Sequence, residues 1–100
     1  MSQGASGAPN ASVADDPQQQ RYELSVDGVV VASTQYRAWP DQIALVHTQV
    51  DEEWGGLGLG SRLIRFALDD ARERGLAVLP FCPFVNGFIK RHREYADLVP

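Results

Sequence analysis

The sequence predicts an α/β fold: an antiparallel β-meander joined to a β-α-β unit and closed by a short C-terminal helix. Three observations predict it. "RYELSV" and "VVVASTQYR" read as strands on either side of Asp27-Gly28, a dipeptide that favours a tight hairpin turn. Gly55, Gly56, Gly58 and Gly60 run directly into a stretch with helical apolar spacing. "LAVLPFCP" follows that stretch as an apolar run of strand length, and a helix between two strands allows them to pair in parallel.

Taken in order, Met1 to Gln20 holds Gly, Ser, Ala, Asp and Gln with almost no large apolar side chain. Such a segment cannot bury enough surface to offset the entropy of ordering, so residues 1–20 are expected to form a flexible tail and residues 21–100 the folded domain. The segment has neither a basic start nor an apolar stretch, and no later apolar run is long enough to span a bilayer. The expectation is a cytoplasmic protein without a membrane anchor.

After the hairpin, Trp39-Pro40-Asp41 marks a turn, and Ile43 to Val50 is rich in β-formers and reads as a third strand. Leu59, Leu63, Phe66, Ala67 and Ala71 then recur at helical spacing, with Asp70 and Arg74 as an i,i+4 pair on the flank and Gly75 as the stop. "FVNGFIKRHREY" suits a short helix that turns Phe84, Phe88 and Ile89 inward, and the final "ADLV" is expected to tuck back.

Composition narrows the function classes. The chain has 100 residues, 44% of them apolar, and a formal net charge of -4, which argues against general binding to nucleic acid or anionic membranes. Cys82 is the one cysteine, so no internal disulfide forms. Two histidines and one cysteine show no metal-ligand spacing, and no metal is expected.

Glycines before a helix leave backbone N–H groups open to close approach, and the helix dipole there favours an anion. A nucleotide P-loop is excluded because Ser61-Arg62 follows Gly60 in place of Gly-Lys-Ser/Thr. The dinucleotide fingerprint also fits badly, since Gly56, Gly58 and Gly60 are each two apart. The glycines alone fit a phosphate cradle and a ligand-free flexible loop equally well.

Four separated motifs extend the pattern: His47 to Val50 at a strand end, Gly56 to Gly60 at the helix entrance, Cys82-Pro83-Phe84, and His92 to Val99. In this order they resemble the very small single-domain branch of the GNAT (general control-related N-acetyltransferase) superfamily, over roughly Arg21 to Pro100. The resemblance implies a minimal GNAT-like fold with a splayed parallel strand pair formed by the strand ending at Val50 and the strand Ala77 to Phe81. It implies that acetyl-CoA binds along Thr48, Val50, Gly55, Gly56, Leu57, Gly58, Leu59, Gly60, Ser61 and Arg62, with the pyrophosphate on the glycine turn. At Gly55 the superfamily pattern has Gln or Arg, and Arg62 is a candidate to compensate for it.

The activity implied is acetyl transfer to an amine of a protein, peptide or small molecule, with an acceptor site left open because the extra N-terminal helices of larger members have no counterpart. The alternative is a non-catalytic acyl-CoA-binding or protein-interaction module. Transfer needs a base for the amine and donors for the oxyanion. His47 and Cys82 are the catalytic candidates, either for direct attack with His47 or water as base, or through an acetyl-Cys82 intermediate activated by His47. Against both stand a buried core cysteine and a structural histidine. Lys90, Arg91, His92 and Arg93 form the densest positive cluster, and the favoured reading is a solvated helix end. Trp54 is placed to line the cofactor entrance or to cap the core, while Asp51, Glu52 and Glu53 are expected to face solvent.

Overall fold

The structure is a computed structural model and describes residues 10–100. Five strands form one sheet in sequence order: β1 (Ala11–Asp16), β2 (Arg21–Val26), β3 (Val29–Ala38), β4 (Gln42–Val50) and β5 (Ala77–Pro80). The first four are antiparallel neighbours, and β5 pairs with β4 in parallel after the crossover helix α1 (Leu59–Glu73). Helix α2 (Pro83–Arg91) and a 3-10 helix (Arg93–Leu98) complete the chain.

The β2–β3 turn forms as expected, with Asp27 at φ 51° and Gly28 at φ 83°, the two left-handed residues a type I′ hairpin requires. Helix α1 ends at Gly75 in a Schellman arrangement: the Leu76 amide donates to Ala71 O at 2.9 Å and the Gly75 amide to Arg72 O at 3.1 Å. Its buried stripe is Leu59, Leu63, Ile64, Ala67, Leu68 and Ala71, resting on Tyr22, Leu24, Ile43 and Leu45 of the sheet.

Three expectations are corrected. Residues 11–20 do not form a flexible tail. They make β1, paired with β2 from Ala11↔Val26 to Asp16↔Arg21, and a turn in which Asp16 accepts from the Gln19 amide; residues 1–9 lie outside the described residues. Counting large apolar side chains misses an edge strand whose stability comes from ladder hydrogen bonds and from Asp15, which accepts from the Tyr36 hydroxyl at 2.6 Å. Phe66 is 39% exposed, edge-on to Tyr22, because Ile64 and Leu68 fill the stripe instead. Phe84 is exposed and lies against Gly60, and Val85 takes the inward position beside Phe88 and Ile89.

Both helices cover the same face of the sheet, with their apolar residues in one cluster. The other face carries Arg21, Glu23, Ser33, Gln35, His47 and Gln49, and no described helix lies over it.

Candidate functional site

A short 3-10 turn (Glu52–Trp54) leads from β4 into the glycine segment. Gly56 (φ 79°) and Gly58 (φ 76°) adopt left-handed conformations, and the space a side chain would fill at either is open. Gly60 is needed for a different reason: a Cβ there would stand 2.8 Å from the tip of the Phe84 ring and 3.4 Å from Val50. Gly55, at φ -69° and ψ 156°, is ordinary extended backbone that any residue adopts.

No side chain caps α1. The Arg62 amide is the first to bond back, to Gly58 O at 3.1 Å, so the amides of Leu59, Gly60 and Ser61 have no acceptor within the helix. They open on a cavity of about 280 Å³ lined by Val50, Trp54, Gly55, Gly56, Gly58, Leu59, Gly60, Ser61 and Phe84. The first turn of α1 holds no acidic residue, and Asp51, Glu52 and Glu53 are exposed. Positive helix-end potential therefore meets a concave, uncharged surface. Leu59 itself is buried in the core and contributes backbone only, whereas the Leu57 side chain is exposed and does not line the cavity.

Beside this cavity the parallel strands part. Pairing of β4 with β5 runs from Gln42↔Ala77 to Leu45↔Pro80, and the Cys82 amide makes the last link by donating to Leu45 O at 2.9 Å. Beyond that point β4 remains paired only with β3, as far as Val50, while the chain after β5 turns into α2 at Pro83. The gap thus lies between Val46–Val50 and the start of α2.

A bulge decides which side chains face the gap. Gln35 pairs with His47 and Tyr36 with Leu45, which leaves Val46 as an extra residue and shifts the alternation by one. Thr48 and Val50 consequently share the helix face with Ile43 and Leu45, and His47 and Gln49 point to the open face. The Cys82 thiol, 4% exposed, donates to Thr48 Oγ1 at 3.4 Å. His47 is exposed with its Nε2 3.2 Å from Gln49 Oε1. His47 and Cys82 are therefore on opposite faces of β4, and the structure does not bring them together as a base and nucleophile pair.

Burial pushes the Cys82 thiol up, but hydrogen bonding with the Thr48 side chain and with the backbone at Val85, Phe84 and Thr48 outweighs it and leaves the thiol below its ordinary value. The Arg62 guanidinium donates to Ala11 O of β1 at 3.0 Å. Lys90, Arg91 and Arg93 are exposed at the far end of α2, and His92 stacks on Phe88 at 4.1 Å.

The closing motif, by contrast, is a clamp on α1. Arg72 makes two 2.9 Å bonds to the Asp97 carboxylate, and the Tyr95 hydroxyl donates to Asp69 at 2.6 Å. Two contributors escaped the sequence reading: Phe84 as the wall against Gly60, and Thr34, whose hydroxyl lies 2.9 Å from that of Thr48. The only signal for Thr34 was a threonine where a strand core favours valine.

Residues 21–98 match the family model of the GCN5-related N-acetyl-transferases. The chain belongs to that family. This N-acetyltransferase domain is also similar in fold to solved structures: a GCN5-like protein from Staphylococcus aureus, determined by NMR, at 23% identity over 92% of this chain and 90% of that one, with a TM-score of 0.69. A ribosomal-protein-alanine N-acetyltransferase from Brucella melitensis matches at 21% identity and a TM-score of 0.57 over 80% of this chain and 62% of its own, so the present chain spans less than two thirds of its length. Among curated proteins no sequence matches. No helix among the described residues is long and apolar enough to cross a membrane.

Proposed function

We propose that this acetyltransferase binds acetyl-CoA at the α1 entrance and transfers the acetyl group directly to an amine of a protein or peptide. The observation that carries the proposal is the run of unbonded amides at Leu59, Gly60 and Ser61, opening on a cavity beside the point where β4 and β5 part. These amides would hold the pyrophosphate, and Val50, Trp54 and Phe84 would flank it. When bound, acetyl-CoA supplies an activated thioester carbonyl.

The chain's own groups divide the proton work between the two faces of β4. On the open face, His47 accepts the proton that the amine must lose, with Gln49 orienting its ring. At the gap, Cys82 gives its proton to the departing sulfur, and the Thr48 hydroxyl and the start of α2 stabilise the thiolate left behind. The open face, over which no described helix lies, suits an extended peptide better than a small amine, which would leave most of that surface unused. The separation of His47 from Cys82 disfavours an acetyl-Cys82 intermediate activated by His47.

Titration calorimetry with acetyl-CoA, followed by thiol release across peptide and small amine acceptors, tests this. Cys82→Ala and His47→Gln are expected to lower kcat by about a hundredfold each with the dissociation constant for acetyl-CoA little changed. Binding without release above hydrolysis would favour the non-catalytic module, and no binding would sink both. An acetyl adduct seen by intact mass in the native chain and lost in Cys82→Ala would restore the covalent route.

A further inference from the structure

Thr34 is wholly buried on β3, directly opposite Thr48 across the β3–β4 ladder and beside Tyr22 on β2. Valine has the same shape and strand preference, and a buried hydroxyl costs free energy unless it is bonded. Here the hydroxyl has one side-chain partner, Thr48 Oγ1 at 2.9 Å, and Thr48 Oγ1 in turn meets the Cys82 thiol at 3.4 Å. Three groups thus form a line from the core to the mouth of the strand gap.

We propose that Thr34 is a positioning residue: acting through Thr48, its hydroxyl sets the direction in which the Cys82 thiol gives and recovers its proton. This rests on the acid role given to Cys82 above.

The direction of the line follows from counting protons. A hydroxyl has one hydrogen and two lone pairs. While Cys82 is a thiol, its S–H points at Thr48 Oγ1. Once Cys82 has passed its proton to the departing sulfur, the Thr48 O–H must turn to the thiolate, and Thr48 Oγ1 is then supported by the O–H of Thr34. No covalent bond changes among the threonines, and the thiol regains its proton from solvent. Without the Thr34 hydroxyl, Thr48 loses the donor that supports it when its own hydrogen faces sulfur. Among the described residues no charged side chain sets the thiol's shift: β4 presents Thr48 to the thiol, α2 presents its first backbone groups at Phe84 and Val85, and His47 is on the other face.

The test is the pH midpoint of Cys82 ionisation, read from the NMR shift of the Cβ of the chain's one cysteine. Thr34→Val is expected to raise the midpoint by about one pH unit, a roughly tenfold lower thiolate fraction below it. Thr34→Ser, which keeps the hydroxyl and loses the methyl, is expected to return it to the native value while lowering thermal stability. If Thr34→Val does not fold, Thr34→Ala takes its place against Thr34→Ser. An unchanged midpoint in Val or Ala, or equal shifts in Ser and Ala, overturns the proposal and marks the threonines as a structural pair. The titration uses neither acetyl-CoA nor acceptor. Loss of acetyl-CoA binding in the native chain would therefore defeat the functional proposal while leaving this one measurable.

Discussion

The two ends of α1 are built on opposite terms. At the C-terminal end polar groups are paired across elements: Gly75 closes the helix, Arg74 bonds Asp70 at 2.9 Å and reaches Asp15 at 3.6 Å, and the hydroxyls of Tyr22 and Tyr36 donate to Asp70 and Asp15 at 2.6 Å each. At the N-terminal end the amides have no cap, two glycines are left-handed, and the chain encloses a cavity in place of a contact. One end fastens β1, β2 and β3 to the helix. The other leaves its amides open, which is what the proposed acetyl-CoA cradle requires.

Breaking the open end should give the largest effect on function. Gly58→Val forces a β-branched residue to φ 76° and puts methyl groups where the cradle opens. The expected outcome is at least about a hundredfold weaker acetyl-CoA binding by calorimetry, near 2.7 kcal/mol, with about 1–2 kcal/mol lost in stability. Native affinity in this variant would remove the cradle from the glycine turn.

Breaking the closed end should do the reverse. Tyr22→Phe removes a buried donor to a carboxylate but leaves Asp70 its bond to Arg74, so about 1.5 kcal/mol of stability should go, roughly 6–12 °C in Tm, with acetyl-CoA affinity unchanged. The same end predicts alkaline sensitivity. Burial, then the bonds to Asp70 and Asp15, hold both phenols well above their ordinary pKa of 10.0. Folded tyrosines thus keep protons that unfolded ones release, so this stability is complete below about pH 10 and is lost as the pH rises beyond it. Urea midpoints taken between about pH 9 and 11 should fall with pH, and less steeply in Tyr22→Phe.

The contrast also explains what was legible in the sequence. Local chemistry was readable: Asp27-Gly28 and Gly75 do what their conformational freedom allows, and the glycine turn falls where the helix begins. Pairings that depend on the third dimension were not. β1 escaped because its ladder bonds and the Asp15 to Tyr36 contact are invisible to an apolar count. The face of His47 escaped because the bulge at Val46 reverses an alternation that otherwise places Leu45, His47 and Gln49 together. The bond from the Arg62 guanidinium to Ala11 O was equally out of reach, because β1 lies outside the expected domain.

The smallest expected effect sharpens the comparison inside the open end itself. Gly55 has extended backbone and its Cβ would meet only Glu52 O at 3.4 Å, an ordinary contact, whereas Gly56 is left-handed at φ 79°. Gly55→Gln should therefore be tolerated and even gain about 0.4–1 kcal/mol by reducing the freedom of the unfolded chain, while Gly56→Gln should lose about 1 kcal/mol to strain. Because Gly55 borders the cavity, the added amide in Gly55→Gln supplies one more donor at its edge, worth about a threefold gain in acetyl-CoA affinity. Thermal melts and calorimetry on the two variants read both quantities. A stability loss at Gly55 equal to that at Gly56 would mean that the turn needs flexibility throughout, and that the cradle is shaped only when ligand arrives.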